Sequence, residues 1–214
     1  SVVAATLDTA LTAGVRLAGN LTVTGISSEA DVSTTYSTTA TGASNVTLTA
    51  SDGTWSVAAS ALNTDLGNGI KYAGALTVTS IANSDKAAAL TAYTTAQTGA
   101  TSVTLTSDGA WSVTAADLTT ALDNGVMFVG TLAVANIASG NETAALTAYT
   151  DALTGATSVT LTASDSTWSV AATTLDTALA AGVRLNGDLT VTGIATETNA
   201  STTYSKTATG ATNV

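Results

Sequence analysis

Apolar and polar residues alternate along short stretches of this chain, and between those stretches the apolar positions recur every three or four residues. Val46-Thr47-Leu48-Thr49 alternates with a period of two, as a half-buried strand does. Ser51-Asp52-Gly53-Thr54 is turn chemistry, and Trp55-Ser56-Val57 resumes the alternation. Residues 58–66 then set Ala58, Leu62 and Leu66 at helical spacing, which predicts a short amphipathic helix ended by Gly67-Asn68-Gly69. The next stretch repeats the plan. Ile70-Lys71-Tyr72 reads as a short strand closed by Gly74, and residues 76–81 as a longer one. Asn83-Ser84-Asp85 offers an N-cap for a helix over 86–97, with Ala89, Tyr93 and Ala96 on one side and Thr98-Gly99 as its stop.

The pattern is tandem. VTLTASDGTWSV at 46–57 returns as VTLTSDGAWSV at 103–113 and as VTLTASDSTWSV at 159–170, so Trp55, Trp111 and Trp168 stand about 56 residues apart. The repeat units are 1–55, 56–111, 112–168 and a truncated 169–214. Units one and four align without a gap, whereas units two and three share AALTAY where the others read STTYS. The second helix of units one and four is therefore expected to be shorter and irregular. Each unit places a glycine after its first helix (Gly14, Gly69, Gly125, Gly182), which suits a left-handed C′ position.

A coil of roughly 28 residues holding strand, turn, strand and helix predicts an α/β repeat fold: a stacked solenoid of short parallel strands with one short helix per coil. Parallel strands about 4.8 Å apart would stack seven or eight coils into a rod about 35–40 Å long. The alternative, a string of small β-rich domains, is disfavoured by the short units and the helical stretches. The chain starts just past a tryptophan position and stops at Asn213-Val214, before another VTLTASDxTW, with no polar cap at either end. The expectation is a window on a longer chain, or open ends that join neighbouring copies; both imply a filament.

Composition narrows the chemistry. Hydrophobic residues make up 45% and charged residues 9% of the chain, so the chain is neither polar nor charged enough for disorder. Aromatics are only 4%, so the core must be built from small side chains. The net charge is -10, and the five basic residues (Arg16, Lys71, Lys86, Arg184, Lys206) are scattered, which excludes a nucleic-acid stripe. There is no cysteine and no histidine, which removes disulfides, thiolate sites and the commonest general base. No apolar run approaches 18 residues, so membrane insertion by a helix is not expected.

The alternation of TxT-type strands with short Ala-rich helices, as in LTVTSIANSDKAAALTAY and SVTLTASDGTWSVAA, resembles the long repeat regions of giant secreted bacterial surface proteins, the adhesin and biofilm-matrix class. That resemblance covers the whole chain as texture and implies extracellular structural or adhesive work at the cell surface, with no active site and no cofactor. Its implied partners are copies of the same chain, end to end or laterally. The GGxGxD calcium repeat is absent.

Candidate chemistries are few. Asp52, Asp108 and Asp165 recur in the turn before each tryptophan and are weak calcium candidates, since one carboxylate per turn is too few for that ion. The bland reading is an Asp that accepts a hydrogen bond from its own turn. The tryptophans read as large core anchors in a small-residue interior, with a sugar-stacking platform as the sharper alternative. Thr22, Thr24, Thr47, Thr49, Thr77 and Thr79, with later copies, would stand in rows if strands stack; such rows resemble ice-binding solenoids, and the plain reading is β-branched residues on a solvent face. The helix position of Asp8 and Asp176 is Asn63 and Thr119 elsewhere, so no carboxylate pair is kept, and no nucleophile motif is present. Sequons at Asn20, Asn45, Asn141 and Asn199 keep glycosylation open.

Overall fold

A computed structural model describes residues 1–27, 32–195 and 200–214. It is a mixed α/β protein whose strand pairs are all parallel. The chain forms two compact units, Ser1–Asp108 with Asp123–Val126, and Gly109–Leu122 with Met127–Val214. The first runs β1 Val2–Val3, α1 Ala4–Thr12, β2 Asn20–Ile26, α2 Val32–Thr35, α3 Thr38–Thr41, β3 Asn45–Ala58, α4 Ala59–Gly67, β4 Ile70–Ile81, α5 Lys86–Ala92, α6 Thr95–Thr98 and β5 Ser102–Ser107. There follow β6 Trp111–Thr114, α7 Ala115–Asp123, β7 Val126–Val129, β8 Thr131–Ile137, α8 Glu142–Ala148, α9 Asp151–Thr154, β9 Ser158–Ala171, α10 Ala172–Ala180, β10 Val183–Thr192, α11 Ala200–Thr203 and α12 Lys206–Thr209.

In the first unit β1 to β5 pair in sequence order, each strand with the next. The register shows that the long strands serve two ladders. The start of β3 lies between β2 (Leu21 opposite Val46) and the start of β4 (Val46 opposite Ile70). Farther along, the end of β3 pairs with the middle of β4 (Trp55 opposite Leu76), which also takes β5 on its other side (Leu76 opposite Val103). The second unit repeats the plan: β8 and the starts of β9 and β10 follow β6 in one ladder, and the ends of β9 and β10 pair in another.

The step from one ladder to the other is made at a glycine. Thr49 faces Ala73 and Thr54 faces Ala75, so the four residues 50–53 pass over the single residue Gly74. In β9 the residues 163–166 pass over Gly187 in the same way. Both glycines have positive φ, 108° and 116°, and a Cβ on either would collide with the carbonyl of Gly53 or of Ser166. This explains two departures from expectation. The separate strands expected over 46–49 and 55–57 are one strand, β3, and those over 70–72 and 76–81 are one strand, β4. Each tryptophan faces a leucine of the strand it pairs with, Trp55 with Leu76, Trp111 with Leu132 and Trp168 with Leu189.

Alternate strand residues are fully buried (Val23, Val46, Leu48, Ile70, Tyr72, Val78, Val103, Leu105), and under the helices they meet Leu7, Leu62, Leu118 and Leu175, one at the same place in each unit. The residues between them, mostly threonine, remain partly open to solvent. Parallel sheets are ordinarily covered on both faces; here one face is left polar. The first helices end as expected, with Gly14, Gly69, Gly125 and Gly182 at φ 82°, 75°, 73° and 86°.

The expectation of one helix per coil is corrected in the second half of each unit. The helix predicted over 86–97 is two helices, α5 and α6, because Thr94 turns extended (φ -72°, ψ 162°) and its hydroxyl accepts the backbone N–H of Gln97 as an N-cap. Asn83–Asp85 forms a 3-10 turn, and the Asp85 side chain makes no capping bond. Ser37, Thr150 and Ser205 cap α3, α9 and α12 as Thr94 caps α6.

The Gly74 crossing makes a test. Gly74→Ala should cost about 1–3 kcal/mol from strain, and more if the 50–53 turn is pushed off the sheet. Gly14→Ala, whose added Cβ meets nothing, should cost only the left-handed penalty of about 1–2 kcal/mol. Urea unfolding of both variants checks the order; equal losses would refute the close crossing.

Candidate functional site

The three tryptophans are core side chains. Trp55 is 2% exposed, its Nε1–H donates to the carbonyl of Ala73 at 2.9 Å, and its ring meets Tyr72 edge-on at 4.9 Å. Trp168 is 2% exposed and donates to the carbonyl of Asn186 at 3.0 Å. Trp111 is fully buried and packs edge-on against Phe128 at 5.1 Å. Edge-to-face pairs of this kind add to the area a large ring buries in an alanine-rich interior. None of the three offers a ring face on which a sugar could stack.

The aspartate turns are closed on themselves. Asp52 Oδ1 accepts the backbone N–H of Thr54 at 3.0 Å, and Asp165 Oδ1 that of Thr167 at 3.0 Å. Those backbone hydrogen bonds, helped by the threonine side chains, hold both carboxyls below their ordinary range. The backbone N–H of Asp108 bonds the carbonyl of Ile81 at 3.3 Å. Among the described residues, no three acidic side chains converge as a calcium site needs.

The threonine rows are short. Thr22 faces Thr47, but the next strand brings Lys71, and Thr49 faces Ala73. Thr77 pairs with Thr104 on one side and Ser56 on the other; Thr79 faces Ala58, and Thr24 faces Val3. The half-step between ladders explains the breaks, because VTLT and LTVT segments meet IKY and WSV segments as well as each other.

What the structure does bring together, and what spacing did not reveal, is a tyrosine clasp between the two halves of each unit. Tyr36 donates to Asp8 Oδ1 at 2.8 Å, and Tyr93 to Asn63 Oδ1 at 2.9 Å and to the carbonyl of Ala59 at 3.3 Å. Tyr149 bonds Thr119 Oγ1 at 2.8 Å and donates to the carbonyl of Ala115 at 3.1 Å, and Tyr204 hydrogen-bonds Asp176. The helix position at which no acid is kept from repeat to repeat is thus the tyrosine's partner, retained as a hydrogen-bonding group and not as a charge. The available signal was the tyrosine that recurs in every unit. Burial, then the Asp8 carboxylate, pushes the Tyr36 pKa up to about 12; burial also raises those of Tyr93 and Tyr204.

A second recurring device is a buried threonine at the end of each four-residue helix. Thr41, Thr98, Thr154 and Thr209 are fully buried. Each hydroxyl donates to the carbonyl four residues back at 2.9 Å and accepts the backbone N–H two residues on at 3.2–3.3 Å. Among the described residues one carboxylate goes inside: Asp65, 2% exposed, accepts the hydroxyl of Tyr72. Of the sequons, Asn20 and Asn45 bond each other across adjacent strands, Asn141 is exposed, and Asn199 lies outside the described residues.

No protein-family model matches the chain, and neither a characterised protein nor a solved structure is similar to it. No helix among the described residues is long and apolar enough to cross a membrane. Among the described residues, the recurring tyrosine and threonine hydroxyls bond helix side chains and the backbone, which ties the halves of each repeat together.

Two tests follow. Tyr36 is raised from 10.0 in the unfolded chain to about 12 in the fold. Its share of stability is complete below about pH 10 and is lost as pH climbs through about 12. Tyr36→Phe should flatten the alkaline limb of a stability-against-pH curve; an unchanged limb would contradict the clasp. Thr98→Val strands the buried Ala100 N–H, while the Thr94 carbonyl keeps the backbone N–H of residue 98, and should cost about 1–3 kcal/mol by urea unfolding, against less than about 0.5 kcal/mol for Val at exposed Thr91.

Proposed function

We propose that this chain is an extracellular structural repeat protein, a stacked α/β solenoid segment that forms or extends a bacterial filament, surface layer or adhesin stalk. The observation that carries the reading is the parallel pairing of each strand with the next in β1 to β5, which recurs in β8 to β10 of the second unit with the same glycine crossing. Pairing of that kind adds strands without an internal stop, as a load-bearing array requires. The low charge, the absence of histidine and cysteine and the small-residue core agree with a matrix or stalk role. Its mechanism is mechanical: backbone hydrogen bonds run from strand to strand, and the tyrosine clasps and buried threonines lock each helix onto its layer. The partners in this reading are copies of the same chain, with neither metal nor cofactor.

The reading predicts threads in negative-stain images as the purified chain is concentrated, with appearance and melting temperature unchanged by EDTA. Isolated particles at every concentration would remove it. Threads that dissolve with chelator would restore a calcium role for Asp52, Asp108 and Asp165. Short rows broken by Lys71 and Ala73 also predict no thermal hysteresis above that of buffer.

A further inference from the structure

The three internal joints between repeats are built alike and differ at one side chain. Each four-residue helix lays its first residue on the glycine that follows the first helix of the next repeat: Thr38 on Gly69, Thr95 on Gly125 and Asp151 on Gly182. The fit is close in all three. A Cβ on the glycine would come within 2.7 Å of Thr38 Cγ2, 2.8 Å of Thr95 Cγ2 and 1.9 Å of Asp151 Oδ2. The backbone bond is shared as well. The N–H of Thr38 donates to the Asn68 carbonyl at 3.2 Å, that of Thr95 to the Asn124 carbonyl at 3.3 Å and that of Asp151 to the Ala181 carbonyl at 3.3 Å.

The second bond of the joint is not shared. Thr38 Oγ1 donates to the same Asn68 carbonyl at 3.1 Å, and Thr95 Oγ1 to the Asn124 carbonyl at 3.0 Å, so each carbonyl is held twice. Asp151 brings a carboxylate, which accepts hydrogen bonds and has no hydrogen to offer the Ala181 carbonyl. Its Oδ1 is buried and has no hydrogen-bond partner among the described residues. A buried oxygen left without a donor lowers stability where a threonine hydroxyl would add to it. The cap of α9 is also longer than its counterparts. The Thr150 hydroxyl accepts the Leu153 N–H at 3.4 Å, against 3.0 Å at Ser37 and 3.2 Å at Thr94 and Ser205. Leu153, within α9, is 55% exposed.

We infer that Asp151 makes α9 the yield point between repeats: the joint of α9 with the end of α10 opens before those of α3 with α4 and of α6 with α7. One side chain decides it. A hydroxyl closes the joint with a second bond, and a carboxylate leaves it to the backbone bond. Where neighbouring repeats are held by similar contacts, the joint with the fewest of them opens first, and the others stay closed. The inference concerns a conformational step of the folded chain and stands whether or not the chain assembles into filaments.

The amide hydrogens of Thr38, Thr95 and Asp151 report the three joints directly, because each is the donor of its backbone bond. In the 214-residue chain, native-state amide exchange followed by NMR and corrected for intrinsic rates should be about tenfold faster at 151 than at 38 and 95. Asp151→Thr should slow exchange at 151 to the rate seen at 95 and leave 38 and 95 unchanged. Asp151→Asn keeps the size of the side chain and gains an N–H donor, so it should slow exchange at 151 as well. Thr95→Asp should speed exchange at 95 by a similar factor. Equal protection at the three amides overturns the inference, and so does a folded Asp151→Thr chain in which exchange at 151 is unchanged. Slowing by Thr but not by Asn would trace the weakness to crowding against Gly182 and not to the missing donor, which also overturns it.

Discussion

The structure rests on the passage of four residues over one. At Gly74 the 50–53 segment crosses a glycine that has no side chain to obstruct it, and β3 thereby moves from one ladder to the next without leaving the sheet. Had the two halves of β3 stayed in one ladder, each coil would lie squarely on the last and like residues would form columns. The crossing displaces the pairing by half a unit instead. Tryptophan then meets leucine, threonine meets lysine or serine, and aromatic rings meet edge-on between neighbouring strands, as Trp55 does with Tyr72.

Because the pairing is made by the backbone, the side chains are left a modest task. Valine, leucine and alanine fill a thin layer between sheet and helices, and one large ring per unit takes up the remaining volume. The expensive groups in such a layer are the polar ones, since a buried hydroxyl or carbonyl without a partner costs more than a good bond returns. Each recurring buried threonine is satisfied twice, as donor and as acceptor. Each recurring tyrosine reaches a partner that varies between Asp, Asn and Thr. Selection on such a partner would preserve the ability to hydrogen-bond and ignore the charge.

That distinction marks how far the amino-acid pattern could be read. Strand alternation, the left-handed glycines after the first helices, and the Asp turns ahead of Trp55 and Trp168 depend on residues within four or five positions of one another, and these were legible. Strand partners were not, because VTLT, LTVT and WSV segments have the same alternation and any could pair with any. The deciding residue, Gly74, looked like the end of a strand because a glycine inside a strand is read more readily as a stop than as a crossing. The clasp was invisible for another reason: the position is aspartate at Asp8 and Asp176 but Asn63 and Thr119 in the other two repeats, and only the geometry reveals a shared role. The break between α5 and α6 was missed because Thr94 serves equally as a poor helix residue and as a good cap.

Among the described residues, the recurring tyrosines and buried threonines commit their hydroxyls to helix side chains and to the backbone. The sheet face turned away from the helices carries partly open threonines, β-branched residues that favour the extended backbone a ladder needs. Because the ladder is made by backbone groups, threonine stands opposite threonine, lysine, serine or alanine on that face and the register does not change. The residue that does set the register is the glycine at the crossing, so the outer face is free to vary where the crossing is not.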